Sequence, residues 1–483
     1  MKRYNDIKTV KILICLAGLI MVAGISGCKK AIDIGAPTTL INTANVYTSD
    51  GTAEAAVSGL LSSLASSGHM YNGTGSISIL QGLAADEFTF YAAPASSPPN
   101  LFYANSLTTL NNNNYYWPEI YSEIFICNSV IQGLSSASAA SLTPAVQAQL
   151  MGEVKFIRAF IYFNAVNLYG DVPLILGTDP AVNSIASRAP AATVIQQVIK
   201  DLIDAQSLLP DNSYVTLAGL TTTSRILPNK QAVNALLSRV YLYTKDWKNA
   251  EAQASNIINA SSYVLEPVLT NVFLKASREA IWQLQSISVN YGNADVNVLL
   301  MVAAPTSVAN DYALSNSLLG AFEGGDNRFS NWVGKISSGA NTYYYAAKYK
   351  QNSVASVSLI TEYPIMFRLA EQYLIRAESR AQQNNNIGAQ SDLNAIRTRA
   401  GLGNTTATTQ SDLLNAIYNE RRIELFTEFG HRWFDLKRTG QLDAVMGVAA
   451  PLKGGTWSSY KALIPLPLTE IQADSHLTQN PGY

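Results

Sequence analysis

The chain has almost no cysteine, three residues in 483. Histidine is equally scarce: His69, His431 and His476 show no metal-ligand spacing. There is no H-E-x-x-H, no paired C-x-x-C and no G-x-S-x-G, so the common zinc and nucleophile-elbow motifs are missing. Only 14% of residues are charged and the formal net charge is −1. Such a chain offers no basic field to draw in nucleic acid. Long apolar runs are also lacking after the first thirty residues, so nothing later in the sequence reads as a membrane span.

The first thirty residues set the compartment. Lys2, Arg3, Lys8 and Lys11 form a basic head, and Ile12 to Ile25 is an apolar run of signal-peptide length. It ends in Ile25-Ser26-Gly27-Cys28, which resembles a bacterial lipobox. Residues 1–27 are then a signal peptide, and Cys28 is the lipidated first residue of the mature chain. Acyl chains on that residue hold a soluble body at a membrane. Lys29-Lys30 follow directly, with Asp33 the nearest acid. With Cys15 removed and Cys28 lipidated, Cys127 has no disulfide partner. Its apolar setting, "YSEIFICNSVI", predicts a buried thiol.

What is present is helical periodicity. "TAEAAVSGLLSSLAS", "QAQLMGEVKFIRAFIYFNAVNLYG", "PNKQAVNALLSRVYLYTKDWKNAEAQASNIINA" and "YPIMFRLAEQYLIRAESRAQQNNNIGAQSDLNAIRTRAGL" all read as helices or helix pairs. Gly170 and Pro173 stop the second of these. The last two superimpose: Ser238, Ala250, Ala254 and Ile257 recur at one fixed offset as Ala377, Ala389, Leu393 and Ile396. Small residues at these places let antiparallel helices approach closely, as in tetratricopeptide units. Between the helices the texture changes. Residues 86–116 and 267–362 mix short β-like runs with Gly, Ser and Asn turns and many of the 25 tyrosines. Loops this long inside a compact body are usually functional. The expected fold is mostly α: a degenerate tetratricopeptide-type scaffold carrying an irregular, loop-rich lobe.

One stretch concentrates charge, "NERRIELFTEFGHRWFDLKRTG" from Asn419 to Gly440. Its acids invite a catalytic or metal reading. Helical projection argues otherwise. A helix from about Ser411 through Phe429 puts Ile417, Tyr418, Leu425 and Phe429 on one stripe, with Arg421 inside it and Glu424 one turn on. A guanidinium on an apolar face must be paired. Arginine neighbours also depress carboxyl pKa values and make poor general acids. Arg421, Glu424 and Glu428 therefore read as a structural ion-pair network.

The same stretch resembles the signature segment of the SusD/RagB family of outer-membrane nutrient-binding lipoproteins. "GEVKFIRAFIYFNAVNLYGDVPLI", "LLSRVYLYTKDWKNAEAQASNII", "RLAEQYLIRAES", "LNAIRTRAGL" and "LIPLPLTEIQADSHLTQNPGY" are similar to family segments, in family order. The resemblance implies an N-terminal SusD-like region over 28–225 and a C-terminal region over 226–483. It implies no catalysis, no cofactor and no metal. It implies a cell-surface lipoprotein at the outer membrane that hands oligosaccharides or other nutrients to a SusC-like TonB-dependent transporter. Ligand contacts in the family come from the variable lobe. Sugar rings stack on aromatic faces and their hydroxyls need amide partners. The candidates here are Phe90, Tyr91, Asn100 and Tyr103 from the first loop, with Phe102 beside them. Tyr291, Trp332, Tyr343 and Tyr344 come from the second. Two rivals stay open: a protein-binding or non-sugar scaffold, and a glycoside hydrolase using Asp86, Glu87 or Asp326. Arg421→Ala is expected to cost about 3–5 kcal/mol, because it strands buried carboxylates. Denaturant melts of wild type and variant check this.

Overall fold

The computed structural model describes residues 46–483 apart from 67–69, 92–96, 112–114, 212–213, 216–220, 223, 287–291, 307–308 and 310. Cys28, the signal segment, His69 and Tyr291 lie outside the described residues.

Helices dominate. The main ones are α1 (Asp50–Leu64), α2 (Ile77–Ala84), α3 (Trp117–Leu134), α4 (Pro144–Tyr169), α5 (Ala191–Leu208), α6 (Lys230–Tyr243) and α7 (Trp247–Ile258). After the second loop region come α8 (Leu369–Gln382), α9 (Asn386–Arg399), α10 (Gln410–Glu424), α11 (His431–Arg438) and α12 (Leu442–Leu452). From α3 to α9 each of these helices packs on the next, so the scaffold is a row of antiparallel hairpins. Gly170 closes α4 with φ +76°, a left-handed turn that suits glycine.

The two repeated pairs, α6–α7 and α8–α9, adjoin through α7 and α8 although a long insertion separates them in sequence. Their small and apolar repeat positions are all fully buried. The likeness extends to the turns. Lys245 and Asn384 occupy equivalent places, and each has φ +62°. The next residue in each caps the following helix: Asp246 accepts from Asn249 N and Asn385 from Gly388 N. Ser238 donates to Gln372 at 2.6 Å, and Arg239 is bonded to Glu371 at 2.7 Å, so polar bonds also join the pairs.

The lobe is made of short strands: β1 (Phe88–Phe90), β2 (Ala280–Gln283), β3 (Tyr312–Leu314), β4 (Val333–Ser338), β5 (Asn341–Ala346) and β6 (Ile365–Arg368). β1 pairs antiparallel with β3, with Phe88 opposite Leu314 and Phe90 opposite Tyr312, which joins the two loop regions. β2 pairs antiparallel with β6. β4 and β5 form a hairpin turning at Gly339, φ +59°. The largest hydrophobic cluster among the described residues runs from Tyr47 to Leu477 and draws on residues either side of position 226, with two smaller clusters between the helices α6 to α10. Cys127 is buried in the largest cluster, and burial pushes its thiol pKa up.

The charged stretch sits where lobe meets scaffold. Glu424 is fully buried and accepts from three guanidiniums: Arg328 at 2.9 Å, Arg368 at 2.6 Å, and Arg399. Lys348 donates to the Glu424 carbonyl at 2.8 Å and to Glu428 at 2.5 Å, and Arg368 reaches Glu428 at 2.6 Å. Two expectations need correction. Arg421 pairs not with Glu424 but with Asp435, at 2.7 Å, because Glu424 is turned toward the lobe's arginines. The helix also stops at Glu424 and does not run on to Phe429. Thr427 and Phe429 take φ +54° and +49°. Tertiary acceptors compensate, since Glu87 takes the Thr427 N–H at 3.1 Å and Ser78 Oγ takes that of Phe429 at 2.9 Å.

Burial pushes the Glu424 carboxyl up, but Arg399, Arg368 and Arg328 outweigh it and hold the pKa well below the ordinary range. Burial likewise pushes the Asp86 carboxyl up, but Arg432 and Arg422 outweigh it and bring the pKa down to about 2. Both acids bind protons more weakly folded than unfolded. Their contribution is complete above the unfolded carboxyl pKa and is lost as pH falls through the folded values. For Asp86 that window runs from 3.8 to about 2. Glu424→Ala removes the one carboxylate shared by three buried guanidiniums, which keep only their other acids (Asp326, Glu428 and Glu279 among them), and is expected to cost about 3–5 kcal/mol. Urea unfolding at neutral pH measures that loss, and the contribution of Asp86 to wild-type stability should be lost as acidification passes through that window.

Candidate functional site

The lobe presents an open edge of tyrosines. Strand alternation builds it. In β1, Phe90 points inward onto Tyr312, with ring centroids 4.7 Å apart, and Tyr91 follows on the other face, 41% exposed. The Tyr91 N–H bonds to the Asp311 carbonyl at 3.0 Å, which continues the β1–β3 ladder by one residue. β3 packs against β5, and this brings Tyr343 edge-on to Tyr91 at 5.8 Å and 85°.

Within β5 the run Tyr343-Tyr344-Tyr345 splits between faces. Tyr344 turns to the core side, 5.9 Å from Phe329. Tyr343 and Tyr345 share the other face and are half-buried. Tyr345 lies over Gly334 of β4, where an added Cβ would come within 2.2 Å of its ring. That glycine is required for the ring to lie against the backbone. Tyr91, Tyr343 and Tyr345 therefore form the candidate site.

The other candidates divide. Tyr103 stands behind the edge, 5.9 Å from Phe90, with the Lys453 ammonium 5.3 Å from its ring centre. Lys453 also donates to the carbonyls of Leu83, Ala84 and Ala85, the C-terminal end of α2, so it ties the first loop to the scaffold. Asn100 lies half-buried on the short helix Pro98–Tyr103. Phe90 is buried, and Phe102 is buried against Tyr115. Trp332 is the main correction. It is fully buried, its indole N–H donates to the Leu269 carbonyl at 3.0 Å, and it packs on Phe273. Lys348, Arg399 and Arg368 lie 5.0, 5.6 and 6.0 Å from its ring centre. The tryptophan thus lines the buried charge network, where its face favours cations, and presents nothing to a ligand.

The acids considered for hydrolysis are engaged elsewhere. Asp86 is held by Arg432 and Arg422, and Asp326 caps a short helix and binds Arg328 at 2.8 Å. Glu87 is raised to about 7, chiefly by burial, but it is enclosed and accepts from the backbone of Thr427. His431 is buried and 4.0 Å from Glu371, and burial with nearby arginines keeps it neutral. Among the described residues, no group of three or more His, Cys, Asp or Glu is placed to hold a metal ion. Among them too, no helix is long and apolar enough to cross a membrane. What the tyrosine edge can do is stack neutral, polar rings in the presence of water.

Comparison with known proteins agrees with this architecture. The family model described as "SusD family" matches residues 330–483, and the one described as "Starch-binding associating with outer membrane" matches residues 81–242. A SusD-like protein, P2, of Formosa agariphila is 28% identical over 421 residues, covering 76% of this chain and 80% of that protein. The starch-binding protein SusD of Bacteroides thetaiotaomicron is 32% identical over 127 residues, 26% of this chain and 22% of that protein. Among solved structures, a SusD superfamily protein from Bacteroides vulgatus superposes with TM-score 0.77 at 19% identity, covering 90% of this chain and 99% of that one. A laminarin-binding SusD-like protein superposes with TM-score 0.75 at 23% identity, covering 90% of this chain and all of that one.

Trp332→Ala is expected to lower stability by about 3–5 kcal/mol, as removal of a packed core aromatic does. Tyr91→Ala, at an exposed position, should shift it by less than about 1 kcal/mol. Guanidinium titrations of the two variants give the contrast.

Proposed function

This chain belongs to the SusD/RagB family, and on that premise we propose that it is a cell-surface lipoprotein that captures a glycan and passes it to a SusC-like TonB-dependent outer-membrane transporter. The observation that carries the reading is the edge of Tyr91, Tyr343 and Tyr345 on the lobe. Sugar rings have apolar C–H faces that suit such rings, and the tyrosine hydroxyls supply hydrogen bonds at the rim. The family models and the relatives that bind starch and laminarin support a glycan as ligand. A lipid on Cys28 supplies the membrane attachment.

Capture without turnover fits the site. Glycoside hydrolysis needs two carboxyls facing one open cleft. Asp86 and Asp326 are neutralised by arginines, and Glu87 is enclosed. Affinity is expected to be modest. Each stacked ring buries little area, and release toward the barrel requires a weak hold.

The test uses the soluble fragment from Lys29 to Tyr483 and a panel of polysaccharides that includes starch and laminarin. Retention by at least one glycan is expected. A Tyr91/Tyr343 double alanine should weaken it by about 10-fold or more, at about 1–3 kcal/mol per lost stacking ring. Unchanged retention in a folded double variant would reject the tyrosine edge as the site.

A further inference from the structure

A second surface feature has no part in this site. Along α3, Trp117, Tyr121 and Phe125 recur every fourth residue and line a cleft of about 480 Å3. Pro173, Ile175 and Pro180 contribute to the same lining, and the C-terminal segment adds the carboxylates Glu470 and Asp474. The apolar character extends outward. Phe125, Leu176, Val182 and Ile185 are 50, 45, 62 and 59% exposed, a grouping that calls for a partner.

The described chain begins beside this cleft. The Tyr47 ring lies against Gly133 near the end of α3, where an added Cβ would come within 2.0 Å of it. The preceding residue, Gln132, bonds to Thr178 of the cleft lining at 2.6 Å. Residues 28–45 therefore join the body at one end of the cleft. Their sequence is complementary to it. Ile32, Ile34, Pro37, Leu40 and Ile41 are apolar. The lengths also agree. At 1.5 Å per helical residue, Gly133 to Trp117 spans about 24 Å. At about 3.3 Å per extended residue, Val46 back to Leu40 spans about 20 Å, which brings Leu40 and Ile41 within reach of the aromatic wall.

We propose that the segment 28–45 docks in this cleft through the stretch leading into Val46, with Leu40 and Ile41 on the Trp117–Tyr121–Phe125 wall. The consequence, which rests on the lipid-anchor reading, concerns the tether. A free segment from Cys28 to Val46 could reach about 60 Å when extended. Docked, it holds the body close to the bilayer in one orientation, with a defined face toward the membrane.

Hydrogen exchange on the full-length protein purified in detergent tests this. The amides of Leu40 and Ile41 are expected to exchange at least about 10-fold more slowly than in a free chain. Phe125→Glu in the cleft and Leu40→Glu in the segment should each restore free-chain rates, with α4 amides unchanged as evidence of intact folding. Free-chain exchange in the wild type would overturn the proposal, as would protection that survives Phe125→Glu. Protection that arises only with the transporter present would assign the cleft to that partner and overturn it too. The mass of the peptide containing Cys28 reads the anchor separately. An unlipidated Cys28 with a protected segment refutes the anchor and leaves docking standing. A lipidated Cys28 with an unprotected segment refutes docking alone.

Discussion

Glu424 is the joint on which the two parts of this protein meet. It is fully buried and gathers Arg328 from the lobe, Arg368 from the last lobe strand, and Arg399 from the end of a scaffold helix. A buried carboxylate is costly unless its acceptor capacity is filled, and here three segments are needed to fill it. The requirement fixes where the lobe sits. Glu428 and Lys348 extend the network, and Trp332 gives it an aromatic wall. The lobe's strands are short and paired in twos, too little to hold themselves. Their position depends on the charges beneath them.

That division of labour separates stability from recognition. The charged stretch that looks most chemical in the sequence is spent on holding elements together. The residues proposed to meet a ligand lie just past β1 and on β5, which the network positions but does not include. Surface tyrosines there can vary without disturbing the core, while the arginines and glutamates cannot. A scaffold of this kind can carry different binding edges on one frame.

Much of the fold was legible because helical periodicity is local. The repeat of small residues located both helix pairs, and their matching left-handed turns at Lys245 and Asn384 follow from the same alignment. The early end of α10 was not legible, because it depends on Glu87 and Ser78, far away in sequence. Projection put Arg421 correctly on the buried face and misassigned its partner, since helical geometry cannot say which acid a tertiary neighbour claims first. Trp332 was misplaced for a related reason. An aromatic in a loop-rich region reads as surface, and its burial is set by Phe273 and three cations from other segments. Tyr345 was overlooked although its signal was present: strand alternation puts it on the face of Tyr343, and Gly334 opposite leaves room for the ring.

The most direct measurement is a crystal structure of the soluble protein with an oligosaccharide fragment of whichever polysaccharide it retains. The proposed capture role predicts a sugar ring stacked at about 4 Å on the Tyr91–Tyr343–Tyr345 edge, with the Glu424 network unmoved. Sugar bound instead against the 419–440 stretch, with its ion pairs opened to receive it, would contradict the separation of recognition from scaffold.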